Sequence, residues 1–308
     1  GHSSNVAPTL ACFGPGVFRA RHDLPVALNR LREGWLQMED LPSVVARERT
    51  LARVDFPFLS PGVSSLVERM VAAEGAVRYP WVGNALEAFH HPLKACLACV
   101  RRSVQDSGWA YWSLRHQYPG CWICLEHQLP LHVFGHVWSS PYGGGWRMPK
   151  TSRLDAMWAQ GVSSNDFEQI ARLAGLIDAL VRSSNGDGWI EGDALKLSLR
   201  VRLGEQGWMT RRGSIRLRDA ARDFLGALQP LRAVTELSHQ PMDVYGVASR
   251  LGKMLESSPQ RTHPLRYLVA IHWLFEDAND FVRSICAAKS VESTSLKPPT
   301  QDGNPCRL

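Results

Sequence analysis

A cysteine and histidine constellation between residues 96 and 127 constrains this chain more than any other stretch. Cys96-x-x-Cys99 is followed, 24 intervening residues later, by Cys124-x-x-His127, with a Trp- and Tyr-rich segment and His116-Gln117-Tyr118-Pro119-Gly120 between them. Each close pair suits a tight turn, and a fold that joins two such pairs supplies the four donors that a tetrahedral zinc ion takes. One Cys-x-x-Cys is common by chance; the second pair at this distance is what points to structural Zn2+ rather than to buried thiols or a disulfide. Cys121 leaves the ligand set open, because Cys121 and Cys124 form another Cys-x-x-Cys and would complete a four-cysteine site. Spacing alone does not choose between Cys121 and His127.

Taken together, Cys96-x-x-Cys99, Tyr111-Trp112, His116 to Gly120, Cys124-x-x-His127 and Leu131 resemble the zinc-finger signature of the TniQ/TnsD family of transposition target-selection proteins. The resemblance implies Cys96, Cys99, Cys124 and His127 as the metal ligands and makes Cys121 a small core residue. It extends through Leu203-x-x-x-Gly207 and the basic connector Met209-Thr210-Arg211-Arg212-Gly213-Ser214-Ile215-Arg216, and through His263 to Phe275, so that it covers roughly residues 85 to 280. The first eighty residues depart from the family's pattern, with Gly14-Pro15-Gly16-Val17-Phe18 standing where its Pro-Gly-Glu-Ser-Leu opening is expected.

Charge is unevenly placed. The net charge is +6 over 308 residues, and Asp193 to Asp223 carries +4 of it, through Lys196, Arg200, Arg202, Arg211, Arg212, Arg216, Arg218 and Arg222 against four acids. Arginines clustered on one segment are the footprint expected of phosphate contacts, although an ordinary solvated helix face gives the same pattern. Arg200, Arg211, Arg212, Arg216, Arg218 and Arg222 are therefore the candidate DNA-binding residues. Arg101, Arg102 and Arg115 flank the finger as further candidate contacts.

The fold class expected is mainly α, with a central structural zinc finger and a C-terminal helix-turn-helix-like region. Apolar residues recur at three- and four-residue spacing over Pro25 to Trp35, Val63 to Ala73, Phe167 to Arg182 and Pro264 to Ile285, which predicts helices. Leu195 to Leu203 fits both a strand and a helix capped by Asp193. Leu217, Ala221, Phe224, Leu225 and Leu228 make a helical stripe with Arg218 and Arg222 off it. The reading is helix, Gly-containing turn, helix over about 193–228, with the second helix nearer DNA. The expected organisation is an N-terminal helical region (1–84), the finger (85–142), a C-terminal helical domain (143–289) and a Ser-, Thr- and Pro-rich disordered tail (290–308). Gly143-Gly144-Gly145 reads as a linker, since it lacks the Lys-Ser/Thr of a phosphate-binding loop. Trp109, Tyr111, Trp112, Trp122 and Trp138 suit base stacking or partner anchoring as well as packing, and are expected to fill the small finger's core.

No stretch approaches the roughly 20 apolar residues of a membrane span, and no signal peptide is visible. Seven cysteines, four of them in one cluster, suit a reducing cytoplasm. No enzyme is expected: a catalytic zinc keeps a position open for water, whereas this motif fills four. The zinc-deaminase pattern is also missing, because Gly120 interrupts Pro119 and Cys121 and no His-x-Glu precedes them. The resemblance implies a non-catalytic target selector for DNA transposition in a bacterial cytoplasm. Its partners would be DNA, an AAA+ ATPase regulator of the transposase and, in some members, a CRISPR guide-RNA effector complex, often with the selector as a homodimer. The alternative is a zinc-containing DNA-binding regulator unrelated to transposition.

Overall fold

The protein is described by a computed structural model over residues 48–59, 92–134, 148–183, 189–238, 240–241, 243–256 and 263–295, with side chains as far as residue 290. The described part is mainly helical. The expected helices over Pro25 to Trp35 and Val63 to Ala73, the Gly143-Gly144-Gly145 linker, Trp138 and the last residues of the tail lie outside it.

The finger opens with β1 (Lys94–Ala95), runs into helix α1 (Leu97–Ser107) and the single-turn helix α2 (Leu114–Gln117), and continues as the hairpin β2 (Ile123–Cys124) and β3 (Leu129–Pro130). Strand β4 (His132–Phe134) then returns antiparallel to β1, and β5 (Leu154–Asp155) adds to its other edge. Six longer helices follow: α3 (Ser164–Ser183), α4 (Gly192–Glu205), α5 (Leu217–Leu228), α6 (Val244–Glu256), α7 (Pro264–Leu274) and α8 (Ala278–Ser295). No described helix is long and apolar enough to cross a membrane.

Periodicity explains the core. Ile170, Leu173, Leu176, Ile177 and Leu180 of α3 form the buried face that their spacing predicts. The ambiguous Leu195 segment resolves as helix: Leu195, Leu199 and Leu203 are buried at four-residue intervals, while Val201 is exposed. Asp193 does not cap it, because the helix starts two residues earlier, after Glu191, and Asp193 pairs instead with Lys196. The Pro264 to Ile285 segment is two helices rather than one. Phe275 turns extended at the end of α7, and Asp277 accepts from the Asp280 amide to start α8. Helix α8 continues through Ser295, so the first six residues assigned to a disordered tail are helical.

The finger does not stand apart from the helices. Tyr118, Cys121, Trp122 and Ile123 belong to the same buried cluster as residues of α3, α4, α5, α6, α7 and α8. Pro119-Gly120 forms the turn that delivers them: Cys121 N–H donates to Tyr118 O at 3.0 Å and Gly120 sits at φ +81°, the geometry of a type II turn with Pro and Gly in their favoured places. The turn packs so closely that a Cβ on Gly120 would lie 2.8 Å from Leu265 Cδ1 and 3.0 Å from Ile177 Cδ1.

Buried charge then locks the two parts together. Lys94 and Glu236 are almost wholly inaccessible and pair at 3.3 Å, Lys94 Nζ also donates to Tyr118 O at 3.2 Å, and Trp122 Nε1 donates to Glu236. A second tie runs from Arg115 of α2, whose guanidinium makes two 2.7 Å bonds to buried Asp178 of α3. Bidentate pairs of this kind combine charge with fixed geometry.

Candidate metal centre

Two different turns bring the donors together. Cys96 is the residue that precedes α1, with extended backbone at φ −84° and ψ 127°, and Cys99 lies in the first turn, so both thiols sit at the helix N-terminus. Unsatisfied amides there favour negative charge on sulfur. Cys124 ends β2, and His127 occupies the turn to β3. Gln128 closes that turn in the left-handed region at φ +52°, its N–H donating to Cys124 O at 2.7 Å and its side-chain amide to Leu125 O at 2.8 Å.

The four donor atoms of Cys96, Cys99, Cys124 and His127 all lie within 4.8 Å of one another. His127 Nδ1 is 3.7, 3.3 and 3.5 Å from the sulfurs of Cys96, Cys99 and Cys124, and the sulfurs of Cys99 and Cys124 are 3.7 Å apart. A tetrahedral ion with metal–sulfur bonds of about 2.3 Å and metal–nitrogen bonds of about 2.0 Å needs edges of about 3.5 to 3.8 Å, so the donor set fits such an ion. Burial, then the neighbouring sulfurs of Cys124 and Cys96, push the Cys99 thiol well above its ordinary value. That crowding of negative charge is what a bound cation relieves. Cys121 is not in the cluster. It is buried in the main cluster that the helices share, and burial pushes its thiol up to about 12.

Two side chains brace the cluster from outside. Arg102 of α1 clasps both carboxylate oxygens of Glu126, which neighbours His127, and this contact holds the Glu126 carboxyl down at about 2. The clasp ties the helix-borne pair to the hairpin-borne pair. A cavity of about 100 Å³ adjoins the donors, lined by Cys99 and Cys124 together with Tyr111, Arg115, His116 and Cys121. Burial holds His116 at about 4, so the ring is neutral near pH 7. Spacing finds the metal donors but gives no sign of the Arg102–Glu126 clasp, of Lys94, or of Glu236, whose only trace in the sequence is an acid between the apolar Val234 and Leu237.

The expected aromatic core is only partly present. Trp122 is fully buried and packs edge-on against Trp158 at 5.1 Å, and Trp112 is half-buried edge-on against Phe134. Trp109 and Tyr111, by contrast, are 67% and 56% exposed. They follow the Gly108 that ends α1 with φ +80° and run past the edge of the module, because buried charge and the shared helical core supply the packing that a free-standing finger would draw from aromatics.

The six candidate DNA-binding arginines are all exposed. Arg200 lies on α4, Arg211, Arg212 and Arg216 on the connector, and Arg218 and Arg222 on α5. The connector is longer than the three- or four-residue turn of a helix-turn-helix and is itself folded, with Met209 bridged to Ile215 in antiparallel register. Arg216 donates to Gly207 O at 2.7 Å, Arg218 lies 5.1 Å over the Tyr245 ring, and Arg222 pairs with Asp219 at 3.4 Å. Among the described residues, Arg200, Arg211 and Arg212 have no ion-pair partner. Arg101, Arg102 and Arg115 are all engaged within the finger and its neighbouring helix, Arg101 through Leu97 O.

In comparison with known proteins, no family model matches the chain and no curated protein matches it.

Proposed function

We propose that the protein is a non-catalytic, zinc-organised adaptor that helps choose the target of DNA transposition, linking target DNA or a guide-RNA effector complex to an AAA+ ATPase. The observation that carries the reading is the convergence of the four donors that the transposition-family resemblance implies, with Cys121 elsewhere. A set of three thiolates and one imidazole suits zinc over harder cations, and four protein donors leave no position for a reacting water. Zinc then serves the fold, holding the N-terminus of α1 against the β2–β3 hairpin. The α4–connector–α5 unit takes the place of the expected helix-turn-helix as the contact to DNA or a nucleoprotein partner, and the exposed Trp109 and Tyr111 offer anchors for a protein.

The test combines metal analysis with binding. Purified protein is expected to hold one equivalent of zinc and to retain an AAA+ transposition regulator in a pull-down that depends on that metal. Metal-loaded protein that ignores the ATPase yet binds one DNA sequence at physiological salt is a DNA-binding regulator outside transposition, and the adaptor reading fails.

A further inference from the structure

The connector between α4 and α5 is a rooted β-hairpin whose tip carries two cations, Arg211 and Arg212, with no ion-pair partner among the described residues. Thr210 N–H donates to Ser214 O at 2.8 Å, and Gly213 N–H donates to Thr210 O at 2.9 Å. With Gly213 at φ +77°, the loop Arg211-Arg212-Gly213 is a turn followed by a left-handed residue, the usual three-residue hairpin closure. Thr210 Oγ1 also accepts from Ser214 N–H at 3.1 Å, and Arg216 N–H donates to Trp208 O at 2.7 Å. The sequence Thr-Arg-Arg-Gly-Ser thus fixes the backbone of the tip by itself.

The base is held by the core. Trp208 stacks on Trp273 of α7 at 5.1 Å, Phe224 of α5 stacks on the same ring at 4.7 Å, and Trp273 Nε1 donates to Asp223. Ile215 packs against the main buried cluster, and Met209 lies tight against Gly204 at the end of α4. Residues 210–214 are all exposed. The acids around the base are engaged: Glu205 with Arg202, Asp219 with Arg222, Asp223 with Trp273. Arg211 and Arg212 therefore project from a fixed scaffold with no acid among the described residues to neutralise them, while Thr210 and Ser214 offer hydroxyl-bearing side chains beside them.

We infer that this hairpin is a wing that grips the phosphate backbone of duplex DNA through Arg211 and Arg212, so that the tip, rather than the face of α5, makes the principal electrostatic contact. The chemistry favours nucleic acid over a protein partner: the tip offers cations and small polar side chains, and its apolar residues point inward to the core. Because the backbone is already set, binding orders only side chains, which keeps the entropic cost low. Contacts of this class position the duplex without reading its sequence.

The inference rests on the proposed DNA contact and is tested so that the two fail differently. Binding of the full, metal-loaded chain to one random duplex is measured between 50 and 200 mM salt, for the wild type, Arg211→Ala/Arg212→Ala and Arg211→Lys/Arg212→Lys. Each lost phosphate contact lowers the salt slope by about 0.9. The double-alanine variant should lose about two units of slope, so that a fourfold rise in salt weakens it about tenfold less than it weakens the wild type. The double-lysine variant should keep the wild-type slope, since it keeps the charges. Metal content and helicity stay unchanged in all three, as neither arginine has an ion pair among the described residues to lose. If the wild type shows a salt slope and double alanine leaves it intact, the wing is wrong and the DNA contact stands elsewhere. If the wild type has no slope at all, both the wing and the direct DNA contact are wrong, and the cations of the tip serve a protein surface.

Discussion

The β2–β3 hairpin and the wing are built at similar scale and turned to opposite ends. In the first, the turn after Cys124 aims its donors inward: three sulfurs and one imidazole nitrogen converge within 4.8 Å, and Cys96 and Cys124 pack with Leu131 in a small cluster separate from the main core. In the second, aromatic stacking and Ile215 hold the base while the tip faces solvent. A metal held by these donors would stabilise that end of the finger, whereas the wing is held by the core.

The sharpest way to break this contrast is to remove a metal ligand. Cys99→Ser, or chelation, withdraws folding free energy on the order of 10 kcal/mol from α1 and the β2–β3 turn. Hydrogen exchange should show lost protection over residues 97–107 and 124–130, with protection kept in 118–123, α3 and α7, whose core does not include the cluster. Uniform loss across both regions would mean that the metal organises the whole chain. Next comes the bond between the Lys94 end of the finger and the helices. Glu236→Gln leaves buried Lys94 without its counter-charge and should cost about 3–5 kcal/mol in urea unfolding, while Lys94→Met/Glu236→Leu should recover most of it. No recovery in the double variant would show that the pair is needed for its hydrogen bonds to Tyr118 and Trp122 rather than for its charge balance.

These two sites also show what the sequence could and could not reveal. Cys96, Cys99, Cys124 and His127 were legible because metal coordination demands particular atoms at particular spacings, and the α3 stripe was legible because a buried helix face repeats every three or four residues. Lys94 and Glu236 are 142 positions apart, and nothing local marks either as buried. Asp277, which starts a helix inside an apolar run, was hidden for a related reason: the run keeps its helical spacing across the break between α7 and α8. The wing was masked by the expectation of a short turn, although Thr210 to Ser214 carries the hairpin signal once the αL position of Gly213 is seen. Exposure of Trp109 and Tyr111 followed from the finger sharing its core with the helices, a tertiary fact with no signature in the segment itself.

The finest test of the contrast compares two glycines with the same backbone demand. Gly120 and Gly213 sit at φ +81° and +77°, so alanine at either position meets a left-handed backbone that costs about 1–2 kcal/mol. The surroundings differ: a Cβ on Gly120 would press within 3.0 Å of both Leu265 and Ile177, whereas nothing lies within 4 Å of one on Gly213. Overpacking adds about 1–3 kcal/mol at the first site and nothing at the second. Gly120→Ala should therefore shift the global unfolding midpoint by the larger amount. Gly213→Ala should mainly speed amide exchange in the wing, since the hairpin can open without the core. Asparagine, which tolerates the left-handed region, should relieve most of the effect at position 213 and none of the steric part at 120. Equal shifts for the two alanine variants would show that the Pro119-Gly120 turn is not packed against α3 and α7, and the continuity of finger and helices would fall with it.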